Sequence, residues 1–108
     1  MTDAETTVAE LRAEVHRFAD ARDWHQFHTP KNLAASIAIE AAELLEHFQW
    51  ADSLPPDRIE EVVEELADVV IYCLTMANQL NVDLGQAVRQ KLVRNDAKYP
   101  ADKYRGRY

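Results

Sequence analysis

Glycine occurs only twice and cysteine once in this chain of 108 residues. So few glycines cannot supply the frequent tight turns of a β-sandwich or barrel, and they leave no Gly-rich loop to cradle phosphates. Cys73 has no partner for an intrachain disulfide. Set among apolar neighbours, it reads as a small buried hydrophobe in a reducing compartment. Long apolar runs are also missing: the longest, Val69 to Leu74, is too short for a signal core or a membrane span, and the N-terminus is acidic and polar. The expectation is a cytoplasmic protein with no membrane partner. Net charge is −7, which argues against a nucleic-acid binder held by phosphate contacts. No Ser/His/Asp set or nucleophilic cysteine arrangement offers a covalent mechanism. His25, His28 and His47 lack the His-x-x-x-His spacing or cysteine partner that a zinc centre uses.

What is present is helical periodicity. Apolar residues make up 47% of the chain, and their spacing predicts one all-α domain over residues 1–100 with a basic tail at 101–108. Val8, Leu11, Val15 and Phe18 mark a first helix from about Asp3 to Arg22. An aromatic loop follows, from Asp23 through Trp24 and His28 to Thr29. Thr29-Pro30 is an N-cap followed by proline at the first helical position, which predicts a second helix reaching about Trp50. Its apolar face is Leu33, Ile37, Ala41, Leu44 and Phe48. Pro55-Pro56 breaks the chain before a third helix ending near Leu80, with Val62, Leu66, Val69, Cys73, Met76 and Leu80 as its core positions. Asp83, three residues before Gln86, resembles a capping box for a fourth helix that runs to about Ala97 and stops before Pro100. Residues 101–108 read as a tail that orders when something binds it.

Chemistry enters through two acidic pairs, Glu40-x-x-Glu43 and Glu65-x-x-Asp68. An i, i+3 spacing puts both members of a pair on one helix face, beside the apolar seam. If the second and third helices fold back on each other, four carboxylates converge, and they repel unless cations neutralise them. Oxygen-only ligands suit Mg²⁺ or Mn²⁺, with positions left open for a phosphate-bearing substrate. Glu40, Glu43, His47 and Trp50 form one stripe; Glu61, Glu65, Asp68 and Tyr72 form the other. Charge is divided along the chain: residues 40–68 hold ten acids against Arg58, and residues 89–108 hold seven bases against two acids. Lys91, Asn95 and Lys98 share a face of the fourth helix, either as solvated surface or as a phosphate clamp opposite the acids. Glutamates on solvated faces are common, so spacing alone also admits a charged surface with no metal.

With these residues laid out, the chain resembles the MazG-like all-α nucleoside triphosphate pyrophosphohydrolases, and among them the dCTP pyrophosphatase-like branch. The likeness lies in Glu40/Glu43 followed by Glu65/Asp68, in Arg22 to Leu33, in Glu46-His47-Phe48-Gln49-Trp50, in Glu64 to Tyr72, and in Lys91 through Asn95 to Pro100. The branch often has a histidine one position before His16, where this chain has Val15. The resemblance implies a four-helix bundle assembling into a homo-oligomer, most often a tetramer. It also implies Mg²⁺-dependent hydrolysis between the α and β phosphates of a nucleoside triphosphate, with dCTP or a 5-modified dCTP as the expected substrate. Glu40, Glu43, Glu65 and Asp68 would ligate the metal. Trp24, His28 and Trp50 would form the base pocket, and Tyr72, Lys91 and Asn95 would contact sugar or phosphates. The alternative, from a different class, is a non-catalytic helical oligomer that binds a partner protein through its acidic face.

Overall fold

The computed structural model describes residues 1–107, so Tyr108, the last residue of the basic tail, lies outside the described residues. The described chain is helical, with no strand. In order it holds α1 (Val8–Asp20), a 3₁₀ turn (His25–Phe27), α2 (Pro30–Glu46), a second 3₁₀ turn (Pro56–Arg58), α3 (Ile59–Leu80), α4 (Leu84–Lys98) and a one-turn α5 (Ala101–Tyr104). The expected four-helix count therefore becomes four long helices and one short one. α5 falls in the segment read as an unstructured tail.

Local chemistry sets most boundaries. α1 starts at Val8 rather than Asp3 because Thr7 and Glu10 form a reciprocal capping box, Thr7 Oγ1 accepting from the Glu10 amide at 3.1 Å. α2 opens where Thr29 caps the Asn32 amide and Pro30 fills the first helical position. It ends at Glu46, four residues short of expectation. The amides of His47, Phe48 and Gln49 bond three residues back, to Leu44, Leu45 and Glu46, so the helix tightens and stops. α3 ends on Asn81 in the left-handed conformation, a geometry asparagine tolerates. Asp83 then caps α4, its carboxylate accepting from the Gln86 amide at 2.8 Å.

α3 is the central element, with α2 along one side and α1 along the other. Because it serves two neighbours, its buried residues, Leu74, Thr75 and Ala77, differ from a single-seam pattern. Leu66 and Leu80, expected in the core, are about half exposed, whereas Leu74 is covered. In α1 the structure buries Ala19 and leaves Val8, Leu11 and Phe18 largely exposed. The α1–α3 junction is instead polar. The Arg12 guanidinium donates to Asn78 Oδ1 at 3.0 Å, Val82 O at 2.6 Å and Ala77 O at 3.2 Å, and Asn78 Nδ2 donates back to Arg12 O at 3.0 Å. α4 packs only sparsely against the other helices. No described helix is long and apolar enough to cross a membrane.

Candidate active site

The fold-back at Pro55-Pro56 brings α2 and α3 together with opposite sense, so that Glu40 feels Asp68 while His47 reaches Glu61 and Glu65. The two acidic faces therefore oppose each other. Carboxylate oxygens of Glu40, Glu43 and Glu65 lie within 4.8 Å of one another, all half-buried. Asp68 stands outside this tightest group, yet its charge bears on both Glu40 and Glu65.

Electrostatics record the crowding. Desolvation, a hydrogen bond with Glu43 and the charges of Glu43, Asp68 and Glu65 push the Glu40 carboxyl up to about 7. Glu65 is raised by burial and by Glu43, with His47 pulling the other way. Glu40 Oε2 is shielded from solvent and has no hydrogen-bond partner. A buried oxygen left in that condition is costly unless another group satisfies it. Three carboxylates within reach of one another, one of them carrying an orphaned oxygen, fit a hard divalent cation such as Mg²⁺ or Mn²⁺.

His47 sits against this cluster, one turn beyond Glu43 on the stripe that the spacing predicts. Its side chain is only 11% exposed; Nδ1 is 3.8 Å from Glu61 Oε2 and Nε2 is 3.8 Å from Glu65 Oε1. Arg58 Nη1 approaches Nδ1 to 3.5 Å. The imidazole thus wedges between α2 and α3, close to the edge of the carboxylate group. The stripe expected to continue through His47 to Trp50 is broken there: α2 has already ended, and Trp50 is 90% exposed.

Trp24 and His28 belong to a separate aromatic cluster. The Trp24 ring meets Phe18 edge-on at 5.7 Å and His28 at 6.4 Å, and the Arg22 guanidinium lies 3.6 Å over Phe18. Burial, reinforced by the neighbouring charge of His25, lowers the His28 pKa, so the ring is neutral and its shielded Nδ1 has no partner. The His28 amide donates to His25 O at 3.2 Å, which closes the 3₁₀ turn. Tyr72 is half-buried one turn beyond Asp68 on α3. Lys91 is exposed and Asn95 half-buried on α4. α4, which carries them, packs only sparsely against the other helices. The one free cysteine, Cys73, is half-buried in α3.

The profile of the MazG-like family matches residues 35–107, a span that holds both acidic pairs. The chain belongs to the MazG-like family. Within reach of this family, dCTP pyrophosphatase 1 of Mus musculus is 39% identical over 109 residues, covering 94% of this chain and 64% of its own length. The chain thus spans just under two thirds of that relative. A dATP/dGTP diphosphohydrolase of Cyanophage S-2L is 34% identical over 92 residues, covering 85% of this chain and 76% of its own. Among solved structures, a pyrophosphatase from Archaeoglobus fulgidus superposes with a TM-score of 0.78 at 45% identity, covering 85% of this chain and 91% of that one. MazG-like membership and the α2–α3 carboxylate cluster thus coincide in the same stretch of chain.

Proposed function

We propose that this MazG-like protein is a divalent-metal-dependent nucleoside triphosphate pyrophosphohydrolase. In this reading water adds at the α-phosphorus, the bond to the α–β bridging oxygen breaks, and a nucleoside monophosphate and pyrophosphate leave. The observation that carries it is the group of Glu40, Glu43 and Glu65 oxygens within 4.8 Å, with Glu40 held near neutrality. Bare, this strip repels a triphosphate of about four negative charges. A bound Mg²⁺ or Mn²⁺ would neutralise that charge and polarise a water. Glu40, Glu43 and Glu65, with Asp68, are the residues that would hold it. One glutamate of this group would also take the proton from the attacking water.

Substrate recognition falls to the exposed face of Trp24 and to His28, whose neutral ring can donate or accept at a base edge. The similarity to dCTP pyrophosphatases supports dCTP or a 5-modified dCTP as the preferred substrate, and the phage relative sets purine deoxynucleotides as the competing class. Trp50, exposed beyond the end of α2, and Lys91 and Asn95, on the sparsely packed α4, would contribute across an interface in a homo-oligomer. Tyr72 would meet the sugar or phosphates from α3.

Pyrophosphate release measured across all deoxynucleoside and 5-substituted triphosphates, with Mg²⁺ and with Mn²⁺, tests this. We expect Glu43→Gln and Glu65→Gln to lower turnover by roughly a hundredfold or more. The exposed Glu46→Gln should leave it near wild type. A protein that spares every triphosphate while still binding a protein partner through its acidic face would instead support the non-catalytic reading.

A further inference from the structure

A second set of metal-ligating side chains lies at the other end of the molecule, where α1 turns into the aromatic loop. His16 and Asp20 are spaced i, i+4 and share one face of α1. The helix then reverses sharply. Asp23 adopts the left-handed conformation, with φ of 54°. The Trp24 amide bonds back to Ala19 O at 3.0 Å, which lays the 3₁₀ turn His25–Phe27 over the last turn of α1. The His25 ring stacks on that of His16 at 4.7 Å, and its Nε2 faces Asp20 Oδ1 at 3.5 Å.

One donor atom from each of His16, Asp20 and His25 falls within 4.8 Å of the other two. His25 Nε2 is shielded from solvent and accepts or donates no hydrogen bond. The guanidinium of Arg12, four residues before His16 on α1, is already committed to Asn78, Ala77 and Val82. We propose that His16, Asp20 and His25 form a binding site for a borderline divalent cation of the zinc, nickel and cobalt type, distinct from the carboxylate cluster.

Two imidazoles and one carboxylate are a donor set that such ions prefer over Mg²⁺, which demands oxygens. Bonds of about 2.0–2.1 Å put tetrahedral donors roughly 3.3 Å apart. The Asp20–His25 separation already approaches that value, and exposed His16 and Asp20 are free to close the rest by side-chain rotation. An ion here would satisfy the orphaned Nε2 and pin the 3₁₀ turn to α1. The neighbours of that turn in sequence, Trp24 and His28, are the residues assigned above to the base. The site thus couples a second metal to the rigidity of the recognition loop, and it stands whether or not the carboxylate cluster is catalytic.

Titration calorimetry of the full chain with Ni²⁺ or Zn²⁺, in millimolar Mg²⁺ to occupy the carboxylates, tests the site. We expect one equivalent bound per chain, with affinity reduced roughly tenfold or more in His16→Ala and in His25→Ala and unchanged in Glu43→Gln. The His16 ring is exposed, so its removal leaves the helix in place, which far-UV circular dichroism verifies. Paramagnetic Ni²⁺ should broaden the ring-proton resonances of His16 and His25 before that of His47. Absence of binding, undiminished affinity in His16→Ala, or broadening of His47 first would each overturn the proposal.

Discussion

Glu40 holds its proton up to about pH 7 because three other carboxylates and a solvent-poor setting disfavour its charge. A carboxyl whose pKa rises on folding binds its proton more tightly in the native state than in the unfolded chain. Its contribution to stability is therefore full at acid pH and is lost as pH climbs from the ordinary glutamate range through about 7. Glu65 is shifted in the same direction and adds to the slope. In the absence of divalent cations, the thermal midpoint should fall as pH rises across this window, and Glu40→Gln should flatten the fall. Added Mg²⁺ competes with the proton, so it should stabilise the protein more at pH 8 than at pH 6, values chosen to lie about one unit on either side of the shifted pKa. Differential scanning measurements of the wild type and Glu40→Gln across pH, with and without Mg²⁺, check this. Superimposable profiles would show that the cluster is not coupled as described.

Among the elements, α1 and α3 are joined by a polar clasp centred on Arg12. Three guanidinium donors reach the C-terminal end of α3 and Val82, two residues beyond it, and Asn78 returns a bond to the α1 backbone. Arg12→Ala should cost about 2 kcal/mol, since it strips carbonyls and Asn78 of a charged donor. Arg12→Lys should recover little, because an ammonium cannot present the planar fork. Urea denaturation gives the values, and a loss under about 0.5 kcal/mol in Arg12→Ala would refute the role. Nothing in the sequence announces this contact, because its partners lie 65 to 70 residues apart and neither is part of a local pattern. Local signals fared better. Thr29-Pro30 and Asp83 mark the starts of α2 and α4 because a cap acts on amides two or three residues away. Thr7-x-x-Glu10 carries the same signature for α1, and the apolar recurrence beginning at Val8 agrees with it better than a start at Asp3. The acidic pairs were legible for the same reason, i, i+3 spacing being a property of one helix. The wedging of His47 between α2 and α3, and the approach of His16 to His25 across a left-handed turn, depend on how segments fold back and have no local trace.

The chain is more open than a compact monomer of its size. Its accessible surface is 8820 Å², whereas a compact monomer of 12.4 kDa exposes about 6100 Å². The radius of gyration is 16.6 Å against about 13 Å for a compact chain of this length. The surplus carries apolar side chains in two places. On α4, Leu92 is 61% and Val93 71% exposed; on α2 and α3, Leu45, Ile39, Val63 and Val70 remain largely uncovered. A surplus of roughly 2700 Å² per chain exceeds the share of about 800 Å² that each partner buries in a standard interface, which leaves room for two different contacts. Two contacts per chain are what a dimer of dimers requires. α4 also carries Lys91 and Asn95, so docking it on a neighbouring copy would bring basic and amide groups to that copy's acidic strip. We therefore expect light scattering to give a multiple of 12.4 kDa at micromolar concentration. Leu92→Glu should lower that mass and reduce pyrophosphate release together, while circular dichroism retains the helix content. Deletion of Ala101 to Tyr108, which removes α5, should weaken substrate binding more than it lowers helix content. A monomer with full activity would show that the exposed faces of α2, α3 and α4 serve some purpose other than assembly.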